Sequence, residues 1–286
     1  MLARRTLLSV RVGTWLPACE KRNLQKTLPF GLPSSTLGRK AAVITVDTPV
    51  IGKLSHQRVA DRAFYVGMAL AAVVTVFVGF SRTYFLRSQF QTEPLPLYLH
   101  LHGFVFTTWI AIFVAQTTLV AARRVDLHRR LGWAGAAVAA LMVIMAVTAA
   151  ILSGRRNVAA GYEDPALSFL TTPFFDIAVF LILTTAAIRY RRKPETHKRL
   201  MLLASINILD AAVSRWPLTI INTSPWAYFL VTDVFVVAAV GYDLASRRRI
   251  HPAYVWGGLL MLVGQFTRDL VGHTAAWHAI ARLLIG

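Results

Sequence analysis

Residues 131–153 read LGWAGAAVAALMVIMAVTAAILS, 23 positions without one charge. As an α-helix this stretch extends about 35 Å, at about 1.5 Å per residue. The hydrocarbon core of a bilayer is about 30 Å thick and takes about 20 apolar residues to cross. No water is available there to satisfy backbone groups, so a single crossing segment must be helical. Working outward, six more segments share this character. The expected spans are 63–80, 97–121, 131–153, 167–188, 200–222, 226–245 and 253–273. The 286-residue chain is 56% apolar with a mean hydropathy of +0.53. Soluble domains are nearer 45–50% apolar. The sequence predicts an all-α fold, a polytopic membrane helical bundle of about seven transmembrane helices.

Net charge is +18, which on a soluble chain would suggest nucleic acid. The positions of the charges give another reading. Eleven Lys/Arg precede the first span, and 24 of the 31 lie there or in the even-numbered connections. Positive charge is retained on the cytoplasmic side. The N-terminus is therefore expected in the cytoplasm, the C-terminus outside, and the chain in the inner (plasma) membrane. The bilayer is the expected partner, and nucleic acid is not. Cys19 is the only cysteine, so a disulfide within the chain and a cysteine-based metal cluster are excluded.

Residues 1–54 are expected to form a basic, disordered extension ahead of a transmembrane domain at 55–286. Residues 1–40 hold eight Lys/Arg against one acid, Glu20. A transit peptide shares that bias. Leu16-Pro17-Ala18-Cys19 faintly resembles a lipoprotein cleavage box, but Arg11 interrupts the apolar run that such a signal requires.

An internal repeat runs through the body. Thr117-Thr118 leads through Arg123-Arg124 to His128-Arg129-Arg130-Leu131, and Thr184-Thr185 through Arg191-Arg192 to His197-Lys198-Arg199-Leu200. Both copies leave one span, turn through basic residues and enter the next. Two related hairpins forming a four-helix core are expected, related by an axis along the membrane normal. Chance likeness between two basic loops is the alternative.

Intramembrane charges are costly and mark candidate sites. Asp176, Asp210, Asp233, Asp269, Arg215 and Arg268 fall inside expected spans. On the second span His102, Trp109 and Gln116 recur at seven-residue spacing, on one helix face. On the fifth, Asn207, Asp210 and Ser214 share another. Counted from the outer ends, most of these residues fall in the outer half of the membrane. One polar pocket is expected there, lined by His102, Trp109, Gln116, Asp176, Asn207, Asp210, Arg215, Asp233, Arg268 and Asp269. Arg268 with Asp210 or Asp233, and Arg215 with Asp176, are the expected pairs. Structural neutralisation among these charges is the competing reading. His128 and His197 stand at matching cytoplasmic mouths and could ligate a b-type haem; His102 with His273 is the weaker pair. The competing reading makes His128 and His197 part of basic headgroup contacts. The sequence contains no phosphate loop, zinc-protease helix or nucleophile elbow.

The runs His100-Leu101-His102-Gly103-Phe104, Asp126-Leu127-His128-Arg129-Arg130-Leu131-Gly132 and Pro194-Glu195-Thr196-His197-Lys198-Arg199-Leu200 resemble a family of uncharacterised bacterial multi-span membrane proteins. The likeness covers about residues 63–220 and implies a membrane helical fold. The His-Arg-Arg-Leu-Gly turn is loosely similar to turns of ferric-reductase-like and cytochrome b membrane proteins. Their full set of paired histidines within spans is absent from this chain. Three functions are consistent with the residues: a structural or assembly factor, a transporter or small-solute-binding protein, and a haem redox protein.

Overall fold

The computed structural model describes residues 48–223 and 227–286. Residues 1–47 of the expected N-terminal extension lie outside the described residues. The described chain is helical throughout, without a strand. α1 (Thr48–Phe80) runs into a π-helical turn (Ser81–Phe85). α2 (Leu97–Ala121), α3 (Val125–Ala159), α4 (Glu163–Phe169), α5 (Thr171–Arg189), α6 (Pro194–Asn207) and α7 (Asp210–Val213) follow. The last four are α8 (Thr219–Thr223), α9 (Ala227–Arg247), α10 (Pro252–Gly272) and α11 (Ala275–Ile285).

Five helical segments are long and apolar enough to cross a membrane: Gln57–Phe85, Leu97–Ala121, Val125–Ala159, Glu163–Arg189 and Ala227–Arg247. In four of them less than a third of the apolar window is buried within the chain. Leu70, Val74, Phe104, Ile144, Leu230 and Val237 all face outward. Water would not tolerate so much continuous apolar surface, and the pattern fits a multi-pass membrane bundle. The two other expected spans behave differently. Segment 200–222 is divided among α6, α7 and α8. The segment 253–273 is α10, which has 21 residues but carries Gln265, Arg268 and Asp269.

Local sequence accounts for several helix ends. Pro194 opens α6 and Pro252 opens α10, where a missing N–H costs nothing. Thr274 caps α11 by accepting from Trp277 N at 3.2 Å. Arg123 and Arg248 take left-handed φ values of 61° and 54°, ending α2 and α9.

α2 packs along α3 and α5 along α6, giving the two expected hairpins, and α3 joins them through α5. Trp109, Phe113, Met142, Phe180, Leu183 and Leu203 fill the space between them. α1 flanks α2 and α7, and α10 lies against α5 and α6. α4 and α11 close one end around Leu167, Leu170 and Ala281, where Trp277 Nε1 donates to the Leu167 carbonyl at 2.8 Å.

Candidate functional site: two charged centres and a histidine pair

α10 turns Arg268 inward, leaving it 2% exposed. Its Nη1 donates to the carboxylate of Asp176 on α5. Its Nη2 lies 3.4 Å from Asp210 Oδ2 and 3.3 Å from the Tyr228 hydroxyl. The guanidinium centre sits 4.2 Å from the centre of the Phe229 ring, a cation–π contact. Asn207 Nδ2 donates to the Asp176 backbone carbonyl at 2.7 Å.

The helix makes an irregular turn at this centre, with Ile208 and Leu209 keeping right-handed helical angles. α6 ends at Asn207 and α7 starts at Asp210, so Asn207 and Asp210 flank this turn, about one helical turn apart. Leu209 N reaches back only to the Ile206 carbonyl, at 2.9 Å. Asp210 is buried, and its Oδ1 has no hydrogen-bond partner among the described residues. Two carboxylates therefore share one guanidinium. If both are ionised the group carries one excess negative charge, and an uncompensated buried charge is costly. A proton or a small cation would remove it.

A second centre lies at the opposite end, on α1, α6 and α9. Arg199 is fully buried and grips Asp243 with two prongs, Nε to Oδ2 at 2.8 Å and Nη2 to Oδ1 at 2.5 Å. Arg199 Nη1 donates to Glu195 Oε2 at 2.8 Å, and Arg247 Nη1 donates to Asp243 Oδ1 at 3.2 Å. Asp61 accepts from Lys198 at 2.8 Å, Tyr242 at 2.7 Å and Arg247 at 2.5 Å. Three acids here meet three bases, and every oxygen of Asp61 and Asp243 is engaged. His251 N donates to Asp243 Oδ2 at 3.3 Å, while His251 Nδ1 accepts from Ala253 N at 3.1 Å to cap α10. Burial, then the charge of Arg199, hold the His251 pKa below its usual value, which keeps that nitrogen free to accept.

His128, from the start of α3, meets His197, from the start of α6. Their ring centres are 6.3 Å apart and their planes 86° from parallel. His197 Nδ1 is 2.8 Å from the Ala187 carbonyl, and His128 Nδ1 has no partner among the described residues.

The expected outer pocket is thus partly assembled. Asp176, Asn207, Asp210 and Arg268 come together. Asp233 pairs instead with Gln265, whose Nε2 donates to Oδ1 at 3.2 Å. Asp269 is exposed and its carbonyl meets His273 Nδ1 at 2.8 Å. Arg215, also exposed, donates to the Ala211 carbonyl and lies 5.0 Å from the Phe80 ring centre, not beside Asp176. His102 stacks on Phe106 at 4.2 Å, and Trp109 stands edge-on to Phe180 at 5.1 Å. His102 Nδ1, Trp109 Nε1 and Gln116 Oε1 are buried without partners among the described residues, and no hydrogen bond joins them to Arg268. A cavity of about 510 Å³ lies elsewhere, between α1, Trp216–Leu218 and α9, lined by Val74, Thr75, Val78, Trp216 and Phe235.

Sequence reading missed Tyr228 and Phe229 at the Arg268 centre and the whole Arg199–Asp243 network. Charge counting assigns Lys198, Arg199 and Arg247 to orientation alone. The i,i+4 spacing of Glu195 with Arg199 and of Asp243 with Arg247 was the available signal. The chain matches no protein-family model, no curated protein and no solved structure.

Proposed function

We propose that this chain is a seven-crossing carrier of the inner (plasma) membrane that binds a proton or small cation at Asp210 as it moves a small solute. The basic ends of α2, α5 and α9 stand in the cytoplasm, with the C-terminus outside. α10 makes the seventh crossing, neutralised by its contacts to Asp176 and Asp210. The fifth is the interrupted run through α6 and α7. Interrupted helices place free backbone groups and side chains around ions in membrane carriers.

One observation carries this reading: the contrast between the two centres. The inner one is saturated, as a structural network is expected to be. The outer one has two acids for one base, with Asp210 Oδ1 unpartnered among the described residues beside an irregular turn of helix. A packing role is the second reading, favoured by the direct contact of Arg268 with both acids.

Concentration jumps on solid-supported membranes, across monovalent cations and small carboxylates, test the proposal. Wild-type protein should give currents with at least one solute, and folded Asp210→Asn should lose them. Absence of currents from wild type over the panel, or loss of folded protein in Asp210→Asn, supports packing instead.

A further inference from the structure

We infer that His128 and His197 form a two-imidazole site for a first-row transition metal, either the iron of a haem or a bare ion. The site is independent of the Arg268 centre and lies at the other end of the bundle.

Three observations support it. The sequence repeat places each histidine at the start of the second helix of its hairpin, and folding brings the two rings edge-on to one another. The spacing is suitable: imidazole nitrogens about 2.0–2.1 Å from a shared metal put ring centres roughly 6.4 Å apart when the three atoms are near a line, against 6.3 Å here. Finally, a backbone carbonyl already orients one ring. His197 Nδ1–H donating to the Ala187 carbonyl leaves Nε2 as the free lone pair. His128 Nδ1 makes no hydrogen bond of ordinary geometry among the described residues, although the Gln116 backbone lies close to the ring.

Imidazole ligands suit iron, copper, nickel and zinc. No group of three or more His, Cys, Asp or Glu side chains is gathered for a metal among the described residues. A centre here therefore takes its remaining ligands from a porphyrin, from water or from nothing.

The full chain is purified in detergent from cells supplied with haem precursor and trace metals. Metal content and the visible spectrum are then recorded, before and after dithionite. About one metal per chain is expected, falling at least tenfold in His128→Ala and in His197→Ala but not in His102→Ala. A Soret band with a reduced α-band identifies haem; metal without a Soret band identifies a bare ion. If an alanine variant fails to fold, His197→Gly with added imidazole is substituted, and metal should return with the imidazole. Wild-type protein with under about a tenth of a metal per chain overturns the site. So does metal retained when both histidines are removed, or imidazole that fails to restore it.

Discussion

Arg199 and Asp243 form a two-pronged ion pair with both side chains shielded from solvent, joining α6 to α9. Removing one partner of a buried pair strands the other charge, at a cost of about 3–5 kcal/mol. Asp243→Asn should therefore lower unfolding stability in detergent by that amount. Arg199→Lys should recover little, because an ammonium cannot reproduce the planar fork. Thermal unfolding followed by circular dichroism measures both. An Asp243→Asn variant within about 1 kcal/mol of wild type would remove the structural role given to this network.

Gly79 and Gly257 make contrasting predictions. A Cβ at Gly79 would lie 2.1 Å from the Ala212 backbone oxygen on α7, two residues beyond Asp210. A Cβ at Gly257 would meet the Leu203 Cδ1 methyl at 2.6 Å, the far end of a flexible side chain. Gly79→Ala should cost about 1–3 kcal/mol by forcing α1 from α7, and Gly257→Ala clearly less. The same unfolding experiment ranks them, and the reverse order would contradict the α1–α7 packing.

His251 supplies a pH dependence. Its pKa is lowered on folding, so the unfolded chain takes up a proton first as pH falls. Its contribution is present above the ordinary value of 6.5 and is lost as pH falls from there through the folded value. Arg199 and Arg249 push the pKa down while Asp243 and Glu195 oppose them. His251→Asn keeps a side-chain cap for α10 but cannot titrate. The variant should match wild type in melting temperature at pH 8 and fall less steeply between pH 7 and 5. Parallel curves would show that the cap is insensitive to protonation of this ring.

Orientation is open to direct labelling. In a Cys19→Ser background, single cysteines at Gln91 and Gly161 should react with an impermeant maleimide on intact cells. Cysteines at Arg192 and Arg248 should react only after permeabilisation. The opposite pattern would invert the bundle and place Asp210 in the inner half.

Much of the helical layout was legible because spans are long and uniform. α2 covers Leu97–Ala121, the expected 97–121, and both repeat hairpins pair. The irregular turn at Asn207–Asp210 was not legible. Asn207, Asp210 and Ser214 have ordinary helical spacing, and no Gly or Pro marks the interruption before Pro217. Residue types located Arg268 and Asp210 as costly charges, but long-range packing chose Asp176 as the second partner and left Asp233 to Gln265. Arg215 follows Ser214 past the short α7, and its outward direction could not be read from depth alone. Basic residues in a turn at the end of a span can serve orientation and packing together, so charge counting concealed Lys198, Arg199 and Arg247 as network members.

Protonation of Asp210 is the most direct test of the carrier reading. Infrared difference spectra of the purified protein between alkaline and acidic pH resolve protonated carboxyl groups. Wild-type protein is predicted to show such a band, and Asp210→Asn to lose it while unfolding within about 1–2 kcal/mol of wild type. A spectrum unchanged by Asp210→Asn would contradict a proton-binding role, and a variant that no longer folds would leave the Arg268 centre as packing.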